Sequence, residues 1–261
     1  MQSTHQDHAG ASALTHAHLR PWLSTLCGAG CGLALWVALS GGLLSMRPGE
    51  AVRRLLELQA WGLGIGAVLA LAGLGLLLPR PALVGPWWNR TLAGVIVVVV
   101  GCVLLALMQL GERPDPTWLM MLAAVTCIGA LATVTGLALL EAGQTGMLLP
   151  TRLAQSLLCG AALLFALFAL RWAGAAPATG PAPSLLLLVL VTTGLLLAAW
   201  HSQGGLRPWA TRRSLALSLT SILPLVLIAL VWQQPDWARA IWPLLALSLL
   251  AGTAVERLPS R

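Results

Sequence analysis

The chain has 261 residues, of which 58% are apolar and only 9% charged, with a formal net charge of +7. A soluble domain of this length carries charge on about a quarter of its residues, so the composition excludes an ordinary water-soluble protein. The few charges fall mainly between apolar runs about 20 residues long, which matches the thickness of a bilayer core.

In chain order, the polar stretch 1–20 comes first and is rich in His and Ala. It lacks the basic, apolar and cleavage-site order of a signal peptide, so the first apolar run is expected to be retained. Its histidines, His5, His8, His16 and His18, offer a metal-binding reading. A disordered tail is the expected one. Eight runs follow within 21–258: Trp22–Leu44, Leu58–Leu78, Thr91–Leu110, Trp118–Leu140, Leu153–Trp172, Ser184–His201, Ser214–Trp232 and Arg239–Val255. None shows the ten-residue alternation of a membrane β-strand. The expected fold is all-α: one up-and-down bundle of about eight transmembrane helices with short connections.

Tryptophan supports these spans. Trp22, Trp61, Trp118, Trp172, Trp200, Trp232 and Trp237 lie at or near run ends, where an amphipathic ring prefers the headgroup layer; Trp36 is expected to sit deeper. Between the first two runs, Arg47–Leu58 reads as a short surface helix, with Glu50, Arg53, Arg54 and Glu57 at pairing distance. Such a helix serves either as a docking platform or as a solvated linker. Gly28 and Gly32, and Gly62 and Gly66, give close-packing faces. Pro224 is expected to kink the seventh span and free a carbonyl for a neighbour to satisfy.

All 15 basic residues are arginine. With an even number of spans, nine arginines fall on the side of the termini (Arg20, Arg80, Arg90, Arg152, Arg207, Arg212, Arg213, Arg257, Arg261). Six fall on the other (Arg47, Arg53, Arg54, Arg113, Arg171, Arg239). The excess leans towards cytoplasmic termini. Anionic headgroups and loop-docked proteins are the expected partners, not nucleic acid. The five cysteines, Cys27, Cys31, Cys102, Cys127 and Cys159, all lie inside runs and are expected to pack as small apolar groups.

Candidate chemistry is sparse. A b-type haem needs paired histidines on facing helices, and His201 alone lies near a span. Glu141 is the one acid close to a span and is expected at the interface rather than mid-bilayer. The stretch PRPALVGPWWNR, Pro79–Arg90, carries Arg80, Trp87, Trp88, Asn89 and Arg90. Such a group either edges a pocket for an amphipathic headgroup such as a quinone or forms an aromatic belt with a snorkelling arginine.

Several stretches together resemble the membrane anchor subunits of the dimethyl sulfoxide reductase type of molybdoenzyme. They are PWLSTLCGAGCGLALW (Pro21–Trp36), PRPALVGPWWNRT (Pro79–Thr91), LLPTRLAQSLLCGAALLFAL (Leu148–Leu167), RRSLALSLTSILPLVLIAL (Arg212–Leu230) and LLAGTAVERL (Leu249–Leu258). The resemblance implies an anchor in the bacterial cytoplasmic (inner) membrane that binds no cofactor of its own. It would hold an iron–sulfur subunit and a molybdopterin catalytic subunit, and pass electrons from menaquinol or ubiquinol. Arg207, Arg212 and Arg213 are the candidate docking contacts. Arg80, Trp87, Trp88, Asn89, Arg90 and Glu141 are the candidate quinol contacts. The chain departs from that pattern in having no histidine near Gly73–Leu78 and in placing Thr91 where the family has a glutamate. The alternative is a small polytopic transporter or membrane assembly factor without a redox role.

Overall fold

The computed structural model describes residues 3–46, 50–77, 86–111, 115–142, 147–171, 180, 182–202 and 211–258, with the side chains of α1 described from residue 19 onward. Nine α-helices are described: α1 (Ser3–Leu44), α2 (Glu50–Leu77), α3 (Pro86–Leu110), α4 (Pro116–Ala142), α5 (Leu148–Arg171), α6 (Ala182–Ser202), α7 (Thr211–Leu217), α8 (Leu223–Gln233) and α9 (Ala238–Arg257). Because α7 and α8 together form one span, eight segments among the described residues are long and apolar enough to cross a membrane. Each expected span has its counterpart, shifted at the ends by a few residues. The fold is an all-α membrane bundle.

Several local expectations change. The stretch before Pro21 continues α1 as helix rather than forming a disordered tail, and Pro21 lies inside that helix. Residues 50–58 of the segment expected to form a separate surface helix are instead the first turns of α2, where Arg53 and Glu57 pair at 3.7 Å across one exposed turn, and residues 47–49 lie outside the described residues. Helix propagation costs less than breaking and restarting a helix, and the segment holds no Pro or Gly after Gly49 to stop it. Likewise Trp87, Trp88, Asn89 and Arg90 do not lie in a loop. They form the first turn of α3, which opens on Pro86, a residue suited to a position whose N–H has no helical partner. Arg80 lies outside the described residues.

Two buried apolar clusters organise the bundle. One joins α1–α4 around Cys31, Leu33, Leu63, Val98, Leu105 and Leu119. The other joins α5, α6, α8 and α9 around Leu158, Leu185, Ile228, Trp242 and Leu245. The four buried cysteines and the half-buried Cys127 are all free and sit among these helices as small side chains. The two halves meet where α1 crosses α5. A Cβ at Gly32 would overlap the Ser156 carbonyl oxygen, and one at Gly160 would overlap the backbone of Gly32. A second close crossing joins α1 to α2, where a Cβ at Gly30 would stand 2.8 Å from the Gly66 oxygen. The small-residue faces read from the sequence are therefore the two seams of α1.

Pro224 acts as expected, with added detail. The helix opens into one π-turn over Ser218–Ile222, and the Leu223 N–H bonds back to the Ser218 oxygen. The loosened backbone is satisfied from α9, where the Ser248 hydroxyl donates to the Leu219 oxygen at 2.6 Å. Neighbouring side chains commonly re-satisfy broken membrane helices in this way.

The tryptophans divide. Trp22, Trp61, Trp118, Trp232 and Trp237 are exposed near span ends, and the Arg171 guanidinium lies 4.4 Å above the Trp61 ring. Trp36 sits deeper, as expected, and its indole N–H donates to the Leu157 oxygen at 2.9 Å. Trp200, expected in the belt, is buried with Arg213 5.6 Å above its ring, and Trp242 is buried with Phe165 at 6.0 Å. Trp172 lies outside the described residues.

The Gly160→Ala substitution should lower stability by about 1–3 kcal/mol, since the added methyl must push α1 from α5. Gly194 has open space around it, so Gly194→Ala should cost little. Thermal unfolding of both variants in detergent checks this; equal effects would remove the crossing as a constraint. An even number of spans also places both termini on one side, so reporter fusions at residues 1 and 261 should report the same compartment.

Candidate functional site

At the end of the bundle that holds the C-terminus, four span ends converge: the start of the membrane part of α1, the end of α4, the start of α5 and the end of α9. Each brings charge or hydroxyl groups into the interior. Arg152 on α5 donates from Nη1 to Glu256 Oε2 on α9 at 2.5 Å and to Gln155 Oε1 at 3.1 Å. Gln155 reaches the same carboxylate at 3.4 Å. Glu141, at the end of α4, stands 3.7 Å from Arg152 Nε and 3.7 Å from Arg257 Nη1. The Ser24 hydroxyl on α1 joins the last pair: it accepts from Arg257 and donates to Glu141. Four full charges thus sum to zero inside the protein.

Burial makes the balance necessary. The side chains of Arg257, Glu256 and Arg152 are 6%, 10% and 11% exposed, against 23% for Glu141. An uncompensated charge at such depth is expensive, and intramembrane ionisable groups are kept where they are used or paired. Glu141 is the member that still meets the surface. This places it at the interface, as its position in the sequence predicts, while its side chain turns inward to α1, α5 and α9.

The helices supply this geometry through simple spacing. Arg152, Gln155 and Ser156 fall at i, i+3 and i+4 on α5, hence on one face. Gly28 lies one turn beyond Ser24 and leaves room for them: a Cβ there would stand 2.7 Å from Ser156 Oγ and 3.8 Å from Arg257 Nη2. Between these side chains is a cavity lined by Ser24, Gly28, Glu141, Arg152, Ser156 and Arg257, with apolar Val134, Leu137 and Ala138 on the α4 side. It has room for little more than a water molecule. Three buried polar atoms of its lining residues, Arg152 Nε, Ser156 Oγ and Arg257 Nε, have no hydrogen-bond partner among the described residues. The next void inward, around Cys31, Leu35, Ala130, Leu131 and Leu157, is apolar apart from Ser156.

The other expected site residues separate into groups. Trp87, Asn89 and Arg90 are exposed on the outer face of α3, with the Arg90 guanidinium 5.0 Å above the Trp87 ring. They form a stacked pair at the lipid boundary, apart from the inward-facing Glu141. Trp88 is half-buried against the first apolar cluster. Arg212 is occupied: its Nε and Nη2 donate to the Val255 and Glu256 carbonyl oxygens, both at 2.9 Å, and so cap the end of α9. Arg213 stacks over Trp200. Arg207 lies outside the described residues. Arg152, Glu256, Arg257, Ser24 and Ser156 were not among the residues expected at a site. Their signal was a charged or polar residue within a turn or two of a span end, on the face that also carries the small residues.

A second buried polar group lies nearer the opposite end, beside Gly41. Gln59 donates to the Ser40 hydroxyl at 2.9 Å. Its Oε1 and both amide atoms of Gln109 are buried without partners among the described residues.

Fold and site together define a multi-pass α-helical membrane protein with a buried, balanced ion network at one end. No family model, no curated protein and no solved structure matches the chain.

Arg152→Met should destabilise the bundle by about 3–5 kcal/mol, because it strands Glu256 and weakens the hold on Glu141. The double variant Arg152→Met/Glu256→Gln should recover a large part of that loss, since one buried charge disappears with its partner. Thermal unfolding of the two single variants and the double completes the cycle. Additive losses would mean that the pair is not coupled.

Proposed function

We propose that the chain is the membrane anchor subunit of a bacterial molybdopterin oxidoreductase in the cytoplasmic membrane. In this reading it holds an iron–sulfur subunit and, through it, a molybdopterin catalytic subunit. The observation that carries the reading is the placement of charge: every charged side chain described lies within about two turns of a span end. A bundle that only anchors and meets partners at its surface needs no charge at mid-bilayer. The order of stretches resembling the dimethyl sulfoxide reductase type of anchor supports the same role. A transporter, the alternative, needs a polar route across the bilayer; the void inward of the ion network is nearly all apolar, which gives that reading less support.

Electron transfer from menaquinol or ubiquinol is the second part of the proposal. Oxidising a quinol requires a group near the surface to take protons as electrons leave, and a carboxylate serves. Glu141 is the partly exposed carboxylate at the end of the bundle where Arg90 and Trp87 also lie. Arginine and tryptophan bind a quinone ring and its oxygens without accepting protons.

Purification of the tagged chain in mild detergent should bring down an iron–sulfur protein. Repeated recovery of the chain alone, from cells shown to express such a partner, would count against the anchor. In the assembled complex, Glu141→Gln should lower quinol oxidation by about a hundredfold, whereas Arg90→Ala should act mainly on KM. Fast turnover unchanged by both would remove the quinol assignment and leave the anchoring role standing.

A further inference from the structure

We propose that the chain is two copies of one four-span unit, α1–α4 and α5–α9, paired about a two-fold axis along the membrane normal, with the first copy standing one helical turn nearer the end that carries the termini. The seam between α1 and α5 is then the interface of a dimer whose partners are joined in one chain. The partner it fits is a second copy of the same unit. This does not rest on the anchor reading.

Residues 20–36 read RPWLSTLCGAGCGLALW and residues 152–168 read RLAQSLLCGAALLFALF. Shared Leu and Ala mean little in a chain this rich in them. The signal is four different residue types repeated in order at one spacing: Arg20 with Arg152, Ser24 with Ser156, Cys27 with Cys159 and Gly28 with Gly160. The next span keeps that spacing. There α2 opens on Glu50 and α6 on Ala182, and Gly62 stands in α2 where Gly194 stands in α6. Like segments at a fixed spacing mark an internal repeat, which membrane bundles use in parallel as well as inverted form. With four spans in each unit, both start on the same side of the membrane, so this repeat is parallel.

The packing follows the repeat. In the first unit α1, α2, α3 and α4 close a ring of neighbours, and in the second α5, α6, α8 and α9 close the same ring. Between the units α1 packs on α5, α4 packs on α5, and α9 packs on α1. Two-fold pairing requires this exchange of contacts. A unit merely shifted sideways would set α4 against α5 and leave α9 away from α1. The glutamates near the ends of the two units, Glu141 and Glu256, meet at one arginine, Arg152. The displacement shows at the crossing. The repeat matches Gly28 to Gly160 and Ser24 to Ser156, yet Gly160 lies against Gly32 and Gly28 against Ser156. The first unit is therefore set one turn, about 6 Å, towards the termini. The same shift separates the equivalent charges. Arg20 is exposed where the Arg152 side chain is 11% exposed, and Glu141 is 23% exposed where Glu256 is 10%.

An experimental structure of the intact chain, by crystallography or electron microscopy, tests the two-fold relation. With Ser24 laid on Ser156 and Gly62 on Gly194, one rotation of about 180° around the membrane normal and a shift of about 6 Å along it should carry α1 and α2 onto α5 and α6. A best superposition far from a half-turn, or one that needs another register, would overturn the proposal. Thermal unfolding of the intact chain in detergent tests the displacement. Gly32→Ala should lower Tm by about 5 °C or more, because its methyl meets the Ser156 backbone. Gly28→Ala should cost clearly less, because its methyl meets only the Ser156 hydroxyl, which can turn. Arg152→Met should lower Tm, whereas its counterpart Arg20→Met, at an exposed position, should stay within about 1 °C of the wild type. Equal losses within either pair would set the two units level and overturn the displaced pairing.

Discussion

Everything at the charged end of the bundle depends on how closely α1 and α5 approach. At Gly32 and Gly160 the two backbones touch with no side chain between them. One turn above that crossing the gap is still narrow, so Ser24 and Gly28 on α1 face Arg152 and Ser156 on α5 across the space of a single small group. Were either glycine larger, the helices would part, and Arg257 would lose the serine through which it meets Glu141. Packing in the apolar part of a membrane helix thus fixes electrostatics near its end. Lipid supplies no hydrophobic drive between helices, so such backbone contacts and the polar bonds they permit carry much of the association.

The network then ties together segments far apart in the chain. Ser24 meets Arg257 across 233 positions, and Arg152 meets Glu256 across 104. The first and second halves of the bundle centre on different apolar clusters, with Leu164 of α5 packed into the first and Ala29 of α1 into the second. The ion network and the glycine crossing are two of the places where the halves hold each other, along with the Trp36 bond to the Leu157 oxygen and the Arg171 guanidinium over Trp61. Breaking one member costs more than a surface pair would, because the partner is left charged and dry.

The spans were legible in the sequence because each obeys one local rule, an apolar run as long as the bilayer is thick. So were the glycine faces, the depth of Trp36 and the break at Pro224, which depend on neighbours within a few residues. The site was only partly legible. Glu141 stood out as an acid beside a span. Arg152 and Arg257 entered only as arginines to be counted for sidedness, because a single sequence does not reveal that residues 24, 141, 152, 256 and 257 converge. The same limit explains Arg212: its position marked it as surface charge, whereas tertiary packing spends it on the carbonyls of α9. It explains Trp200 too, a ring near a helix end that is buried rather than in the headgroup layer.

The π-turn between α7 and α8 amounts to one extra residue in an otherwise regular span. Each residue of an α-helix turns the chain by about 100°, so removing one residue from Ser218–Ile222 would restore a plain helix but rotate α7 against α8. Arg212 and Arg213 would swing together, the first away from the Val255 and Glu256 carbonyls, the second away from Trp200. The extra residue lets one span obey two partners at once, with α8 held in register with α6 and α9 while α7 keeps its own register with the end of α9. Length variants of this span therefore differ in which face they show at the charged end, even where every side chain is unchanged.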